Sequence, residues 1–240
     1  MTILVGHRGA RGEVPENTLP SFVHVQQLGI RHVELDLHLS RDGQLMVIHD
    51  PDLRRTTGRH GRVDHWHSSD LTQLDARRNG PPCAQPCPIP TLEQLVLACD
   101  FDHWQWEVKS ASRKRSQQLV QAIKQLHDSH KLHGKVTITS SSRSVLRAAQ
   151  QLAPDIPRGF VAERAWLEPI KVAKRYDCAL LVLNYKLCSP ARLRHAKQQG
   201  LHVSVWTVNH AKDMRRLASM GVDSLITDFP GLAIATLQQG

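Results

Sequence analysis

Short runs of apolar residues recur along the chain, at 3–5, 32–36, 105–108, 136–139, 159–161, 180–183, 202–206 and 224–227. Runs of this length, rich in Val, Ile, Leu and Trp, predict β-strands. Between most of them the apolar period lengthens to that of an amphipathic helix. Segment 18–28 places Leu19, Phe22 and Val23 at helical spacing behind Thr18, a candidate N-cap. Leu119, Val120, Ile123 and Leu126 do the same in 116–127, and 142–152, 165–176, 189–199, 210–220 and 230–238 complete the series. Pro190 and Pro230 stand where a first helical turn tolerates a missing N–H, and Gly200 and Gly221 stand where helices end. Eight strands alternating with helices over 240 residues predict an α/β fold, a (β/α)8 TIM barrel forming one domain over 1–240. A two-domain dinucleotide-binding fold is the alternative, and the G-x-G-x-x-G turn it needs does not follow the first strand.

The alternation breaks once, after the second strand. Runs 37–39 and 45–48 flank Asp42-Gly43, a strong hairpin signal. Segment 51–88 is polar and rich in Arg, His, Pro and Gly, which predicts an insertion over one face of the barrel. A helix is expected from Thr91, with Glu93 in its first turn.

Composition narrows the class. No apolar stretch approaches the length of a membrane-spanning helix. The start of the chain runs within six residues into Gly6-His7-Arg8-Gly9, with neither the basic nor the apolar region of a signal peptide, so a cytoplasmic location is expected. Five cysteines, an odd number, fit reduced thiols better than a disulfide framework. Thirty-one basic against 22 acidic residues give a net charge of +9, which attracts anions: nucleic acid, an anionic membrane face or a phosphorylated small molecule. The basic residues are dispersed rather than gathered in a stripe with interleaved aromatics, so no nucleic-acid partner is expected.

Barrel enzymes carry their chemistry at the carboxyl ends of the strands. Those positions hold His7 and Arg8, Glu34 and Asp36, Glu107 and Lys109, His49 and Asp50, Trp206 and Asn209, and Asp228. Residues two apart on a strand share a face, so Glu34 and Asp36 point together, as do Glu107 and Lys109. Three carboxylates aimed at one space repel one another and need a dication; oxygen ligands suit Mg²⁺ or Ca²⁺. A metal with two histidines, an arginine and a lysine suits phosphate-ester cleavage, the cations stabilising phosphoryl charge and the imidazoles moving protons.

Taken in order, His7-Arg8-Gly9, Pro15-Glu16-Asn17-Thr18, Glu34-Leu-Asp36, Asp42-Gly43, His49-Asp50-Pro51, Arg54 with Thr56-Thr57-Gly58, Pro90-Thr91-Leu92-Glu93, Glu107-Val-Lys109, Trp206-Thr-Val-Asn209 and Thr227-Asp228-Phe229-Pro230 resemble the glycerophosphodiester phosphodiesterase family, in its short cytoplasmic bacterial form. The resemblance spans nearly the whole chain. It implies a barrel with a small insertion after the second strand, and hydrolysis of glycerophosphodiesters, the deacylated phospholipid headgroups, to sn-glycerol 3-phosphate and an alcohol. It implies Glu34, Asp36 and Glu107 as ligands of one divalent cation and His7 and His49 as the acid/base pair. Arg8 and Lys109 become phosphate contacts, and Trp206 an apolar wall beside the glycerol, with a core role as its alternative. Glu16 and Asn17 shape the site, Asn17 bracing His7 or the metal shell or else capping the next helix; Asp50 assists the metal or orients His49.

Several features stay open. His38 shares the strand face of Glu34 and Asp36 and either reaches the metal region or is an exposed hairpin residue. His60, His65-x-His67 and Cys83-x3-Cys87 read as weak metal motifs or as plain loop. The competing activities are a related barrel phospholipase D-type or lysophospholipase D enzyme. The expected substrate is a small molecule, no stable membrane insertion is expected, and the sequence is silent on oligomeric state.

Overall fold

Period-two alternation decides which side chains see the barrel axis. In β2 (His32–Leu39), Val33, Leu35 and Leu37 are fully buried in the core shared with Phe22 and Val25, which leaves Glu34 and Asp36 on the axial face. In β4 (His103–Val108), Trp104, Trp106 and Val108 face outward into the same core, and Gln105 and Glu107 face in. The structure is a computed structural model describing residues 2–110, 112–164 and 168–237.

The remaining parallel strands are β1 (Ile3–His7), β5 (Val136–Ser140), β6 (Arg158–Ala162), β7 (Leu180–Asn184), β8 (His202–Trp206) and β9 (Ser224–Thr227). They pair in the order β1-β9-β8-β7-β6-β5-β4-β2, and a β1–β2 pairing closes the ring into a (β/α)8 TIM barrel. The β2–β4 register sets Glu34 beside Gln105 and Asp36 beside Glu107, bringing the acids of two strands to one level. Below them Val5, Val161, Leu180, Val182 and Ile226 plug the barrel with aliphatic side chains.

Outside the ring lie α1 (Leu19–Gln27) and α4 (Leu92–Ala98). They are followed by α5 (Arg113–Ser129), α6 (Arg143–Leu152), α7 (Pro169–Arg175), α8 (Pro190–Gln198), α9 (Ala211–Ser219) and α10 (Pro230–Leu237). Pro190 and Pro230 open their helices, and Ser189 caps α8 by accepting the Arg192 N–H. Gly200 and Gly221 take φ of 74° and 82° after α8 and α9, as the helix-end reading requires. Thr91 caps α4 as expected, with Glu93 in the first turn, and closes a capping box with Gln94. Thr18 holds the N-cap position of α1, but its hydroxyl donates to the Pro15 carbonyl instead of capping. The expected helix over 165–176 is seen as α7; its first three positions lie outside the described residues, as does position 238 of the last helix.

β2 runs on into a hairpin with β3 (Leu45–Val47) through Gly43 at φ 83°. The polar insertion that follows, with α2 (Arg54–Thr57) and α3 (Ser68–Leu71), has its own small core of Met46, Ile48, Leu53, Val63, Leu71 and Ile89. Asp42 ties it to the hairpin by accepting the Ser68 N–H at 2.9 Å and hydroxyl at 2.7 Å.

Candidate active site

β1 ends at His7, and the chain turns at once through Arg8 and Gly9 with φ of 51° and 79°. Gly9 is required there, because a Cβ would lie 2.4 Å from the Ser21 Oγ. Arg8 accepts its unusual backbone because its N–H donates to Glu34 Oε2 at 3.0 Å and its carbonyl accepts the Asn17 N–H at 2.9 Å. This turn stations His7 and Arg8 against the carboxylates of β2.

His7 donates from Nδ1 to Asp228 Oδ1 at 2.5 Å. Asn209 holds Asp228 in turn, donating to its Oδ2 at 2.7 Å and accepting its N–H at 3.0 Å. The donated Nδ1–H leaves Nε2 with a free lone pair, 3.8 Å from Glu34 Oε2. Burial lowers the pKa of His7 below its usual 6.5, so the ring is neutral at pH 7.

His49, beyond the end of β3, repeats the device. Its Nδ1 donates to Asp50 Oδ1 at 2.7 Å, and Arg55 on α2 donates to the other Asp50 oxygen. Burial again lowers the imidazole pKa. Arg55 reaches on to Glu16 with two bonds of 2.7 and 3.0 Å, and Glu16 also accepts from Arg8 at 3.0 Å and Arg11 at 3.1 Å. Burial alone would raise the Glu16 carboxyl; the Arg55 hydrogen bonds and the surrounding guanidinium charges outweigh it and hold the group at about 2.

At the same end of the barrel, Glu34, Asp36 and Glu107 bring oxygens within 4.8 Å of one another. Asn17 donates to Asp36 Oδ2 at 3.0 Å, and Arg8 Nε lies 3.0 Å from the same oxygen. Lys109 Nζ lies 3.2 Å from Asp36 Oδ1 and 2.7 Å from Glu107 Oε1. Burial, then the charges of Asp36 and Glu107, push the Glu34 carboxyl well above its usual range. Burial also raises Glu107 against the pull of Lys109, while Arg8 and Lys109 outweigh burial and lower Asp36. Glu34 Oε1 and Asn17 Oδ1 are buried with no hydrogen-bond partner among the described residues. An all-oxygen donor set, two orphaned buried oxygens and a raised carboxyl fit a hard dication. With a dication bound, three ionised carboxylates against Arg8 and Lys109 would leave one net positive charge, the complement of a phosphodiester monoanion.

The expected site residues meet at one mouth. Trp206 lines the narrow axial well with His7, Glu34 and Glu107. A groove of about 700 Å³ opens beside His49, bordered by Lys109, Ser110, Ser142, Arg115 and Glu163. Asn17 bonds to Asp36 rather than to His7, and Asp50 bonds to His49 rather than joining the carboxylates. His38 fits neither expectation: it is partly buried, and its Nε2 donates to the His49 carbonyl at 3.0 Å. His60, His65 and His67 are exposed and form no three-residue ligand group among the described residues. Cys83 and Cys87 lie with sulfurs 3.5 Å apart, without a second ligand pair among those residues. The sequence reading left Asp228 and Asn209 without a role and passed over Arg55. Asp228 was within reach of the strand period, two residues beyond the inward-facing Ile226; nothing in the pattern of the insertion singles out Arg55.

A family model described as the glycerophosphoryl diester phosphodiesterase family matches residues 7–232. The chain belongs to that family. A glycerophosphodiester phosphodiesterase of Caldanaerobacter subterraneus is 32% identical, with 100% of this chain and 99% of the relative covered. One of Bacillus subtilis is 32% identical over 96% of this chain and 84% of its own length. Among solved structures, a phosphodiesterase of Oleispira antarctica in complex with the product sn-glycerol-3-phosphate superposes with a TM-score of 0.87 at 26% identity, covering 99% of this chain and 97% of its own. This phosphodiesterase is thus an enzyme that hydrolyses glycerophosphodiesters to sn-glycerol 3-phosphate and an alcohol. No helix among its described residues is long and apolar enough to cross a membrane.

Proposed function

We propose that the whole chain works as one phosphodiesterase domain in which His7 and His49 move the protons, Arg8 and Lys109 hold the phosphate, and Glu34, Asp36 and Glu107 hold one Mg²⁺ or Ca²⁺. The observation that carries this reading is the paired imidazoles: each has Nδ1 committed to a carboxylate, which leaves Nε2 to exchange protons, at the mouth that holds the three acids. The cation supplies charge stabilisation at the phosphoryl oxygens. His7, deep in the axial well, takes a proton at Nε2 from the nucleophile, which is water or the neighbouring glycerol hydroxyl. With the hydroxyl as nucleophile, a cyclic phosphate forms and water then opens it.

The groove lies on the His49 side, so the departing alcohol leaves there and His49 protonates its oxygen. The phosphodiester anion raises the proton affinity of that imidazole on binding. Asp228, Asn209, Asp50 and Arg55 act as positioning residues. Trp206 forms an apolar wall beside the glycerol. The odd number of cysteines supports a cytoplasmic setting.

The test is release of glycerol 3-phosphate from glycerophosphocholine, glycerophosphoethanolamine and glycerophosphoglycerol by chelator-treated protein, with Mg²⁺, Ca²⁺ and Mn²⁺ restored separately. Release that depends on a restored ion is expected. Full activity in chelator, or activity untouched by Glu34→Gln, overturns the metal assignment.

A further inference from the structure

A second cluster of metal-ligating side chains lies at the opposite end of the barrel. His127 occupies the last turn of α5, His133 the loop into β5, and Asp155 the loop between α6 and β6. Each can bring a ligand atom within 4.8 Å of the others. The His127 and His133 rings meet edge to face, with centroids 4.8 Å apart and planes at 90°. His127 is 2% exposed on its side chain, and its Nδ1 donates to Asp128 Oδ1 at 3.1 Å. That bond fixes the tautomer and leaves Nε2 as the atom the ring can offer, the arrangement by which carboxylates orient metal-bound histidines. Lys124 completes the surroundings, with Nζ bonded to Asp128 and 3.4 Å from Asp155 Oδ2. Its ammonium can follow Asp128 when Asp155 turns to an ion.

We propose that His127, His133 and Asp155 form a second metal site, taking Zn²⁺ or a similar borderline dication through two imidazole nitrogens and one carboxylate oxygen. Its donor chemistry separates it from the all-oxygen catalytic trio: imidazole favours zinc over Mg²⁺ and Ca²⁺. Three protein ligands leave water to complete a tetrahedral ion. The site joins the end of α5 to the α6–β6 loop on the face of the barrel that serves stability rather than chemistry. The ion acts there as a clip, stabilising the folded chain by mass action.

Chelator-stripped protein is titrated with zinc sulfate by equilibrium dialysis, and the bound zinc is read by X-ray absorption. About two equivalents are expected in the unaltered chain, with imidazole scattering. His133→Ala and Asp155→Asn, both at exposed positions, should each weaken one equivalent on the order of 100-fold or more and remove the imidazole signature, with Mg²⁺-supported turnover unchanged. Asp128→Asn should weaken the same equivalent about 10- to 100-fold. Zinc uptake identical in His133→Ala and the unaltered chain, or a single equivalent that Glu34→Gln abolishes, overturns the proposal. Zinc binding is read without turnover, so the outcome is independent of the catalytic reading.

Discussion

The two imidazole arms of the mouth use one chemical device on two different foundations. His7, Asp228 and Asn209 sit on or just beyond barrel strands, and the His7 side chain is 6% exposed. His49, Asp50 and Arg55 come from the far end of the hairpin and the insertion, and the His49 side chain is 31% exposed. The barrel arm is held by continuous strand pairing across β1, β9 and β8. The insertion arm hangs on a small separate core and on the Arg55–Glu16 ion pair. On the proposed mechanism a buried arm suits the step at the nucleophile, and an arm with solvent access suits departure of an alcohol whose size varies with the headgroup.

The largest expected effect tests whether the arms are equivalent in chemistry. His7→Ala and His49→Ala should each lower kcat about 10²- to 10⁴-fold with the fold retained, as checked by steady-state kinetics and circular dichroism. Restoration of the His49 variant by a substrate with a good leaving group, but not of the His7 variant, would sharpen the assignment of acid and base. Equal restoration of both would break it. Leu53→Ala, in the insertion core, should cost about 2–5 kcal/mol of local stability. Hydrogen exchange should then show the insertion opening below the global unfolding transition. If barrel and insertion unfold as one unit, the contrast between the foundations is wrong.

Glu16 gives a pH test of the link between the arms. Its folded pKa of about 2 lies below the ordinary 4.5, so its ion pairs contribute about 3 kcal/mol above pH 5, lost as pH falls from about 4.5 towards 2. Denaturant midpoints across that window should flatten in Glu16→Gln. The smallest effects are expected at the positioning carboxylates. Asp228→Asn and Asp50→Asn should lower kcat about 10- to 100-fold, because Asn still accepts the Nδ1–H but loses the charge that favours imidazolium. The acidic limb of the kcat/KM profile should lie below pH 6.5, since burial lowers His7, and should shift further down in Asp228→Asn.

Much of the site was legible because a strand repeats every two residues and a barrel puts its chemistry at one end. Glu34 with Asp36, and Glu107 with Lys109, needed no more than that parity. The histidines needed the ordered set of motifs, since a lone His at a strand end has many bland uses. Partners escaped the sequence reading wherever they depend on contacts across long stretches of chain. Asp228 reaches His7 across 221 positions, and Arg55 reaches Glu16 across 39. His38 was misjudged because the hairpin folds the His49 carbonyl back over it.

The order of residues by itself determined the alternation of strands and helices, the shared face of Glu34 with Asp36 and the identity of the three acids. Those properties follow from local periodicity and from the chemistry of the side chains. Only the tertiary structure decided that Asp228 and Asp50 hold the histidines, that Asn17 serves Asp36, and that His127, His133 and Asp155 come together. Hydrogen-bond partners are chosen by closure of the ring and packing of the loops, and no local pattern encodes a distance between residues far apart in the chain.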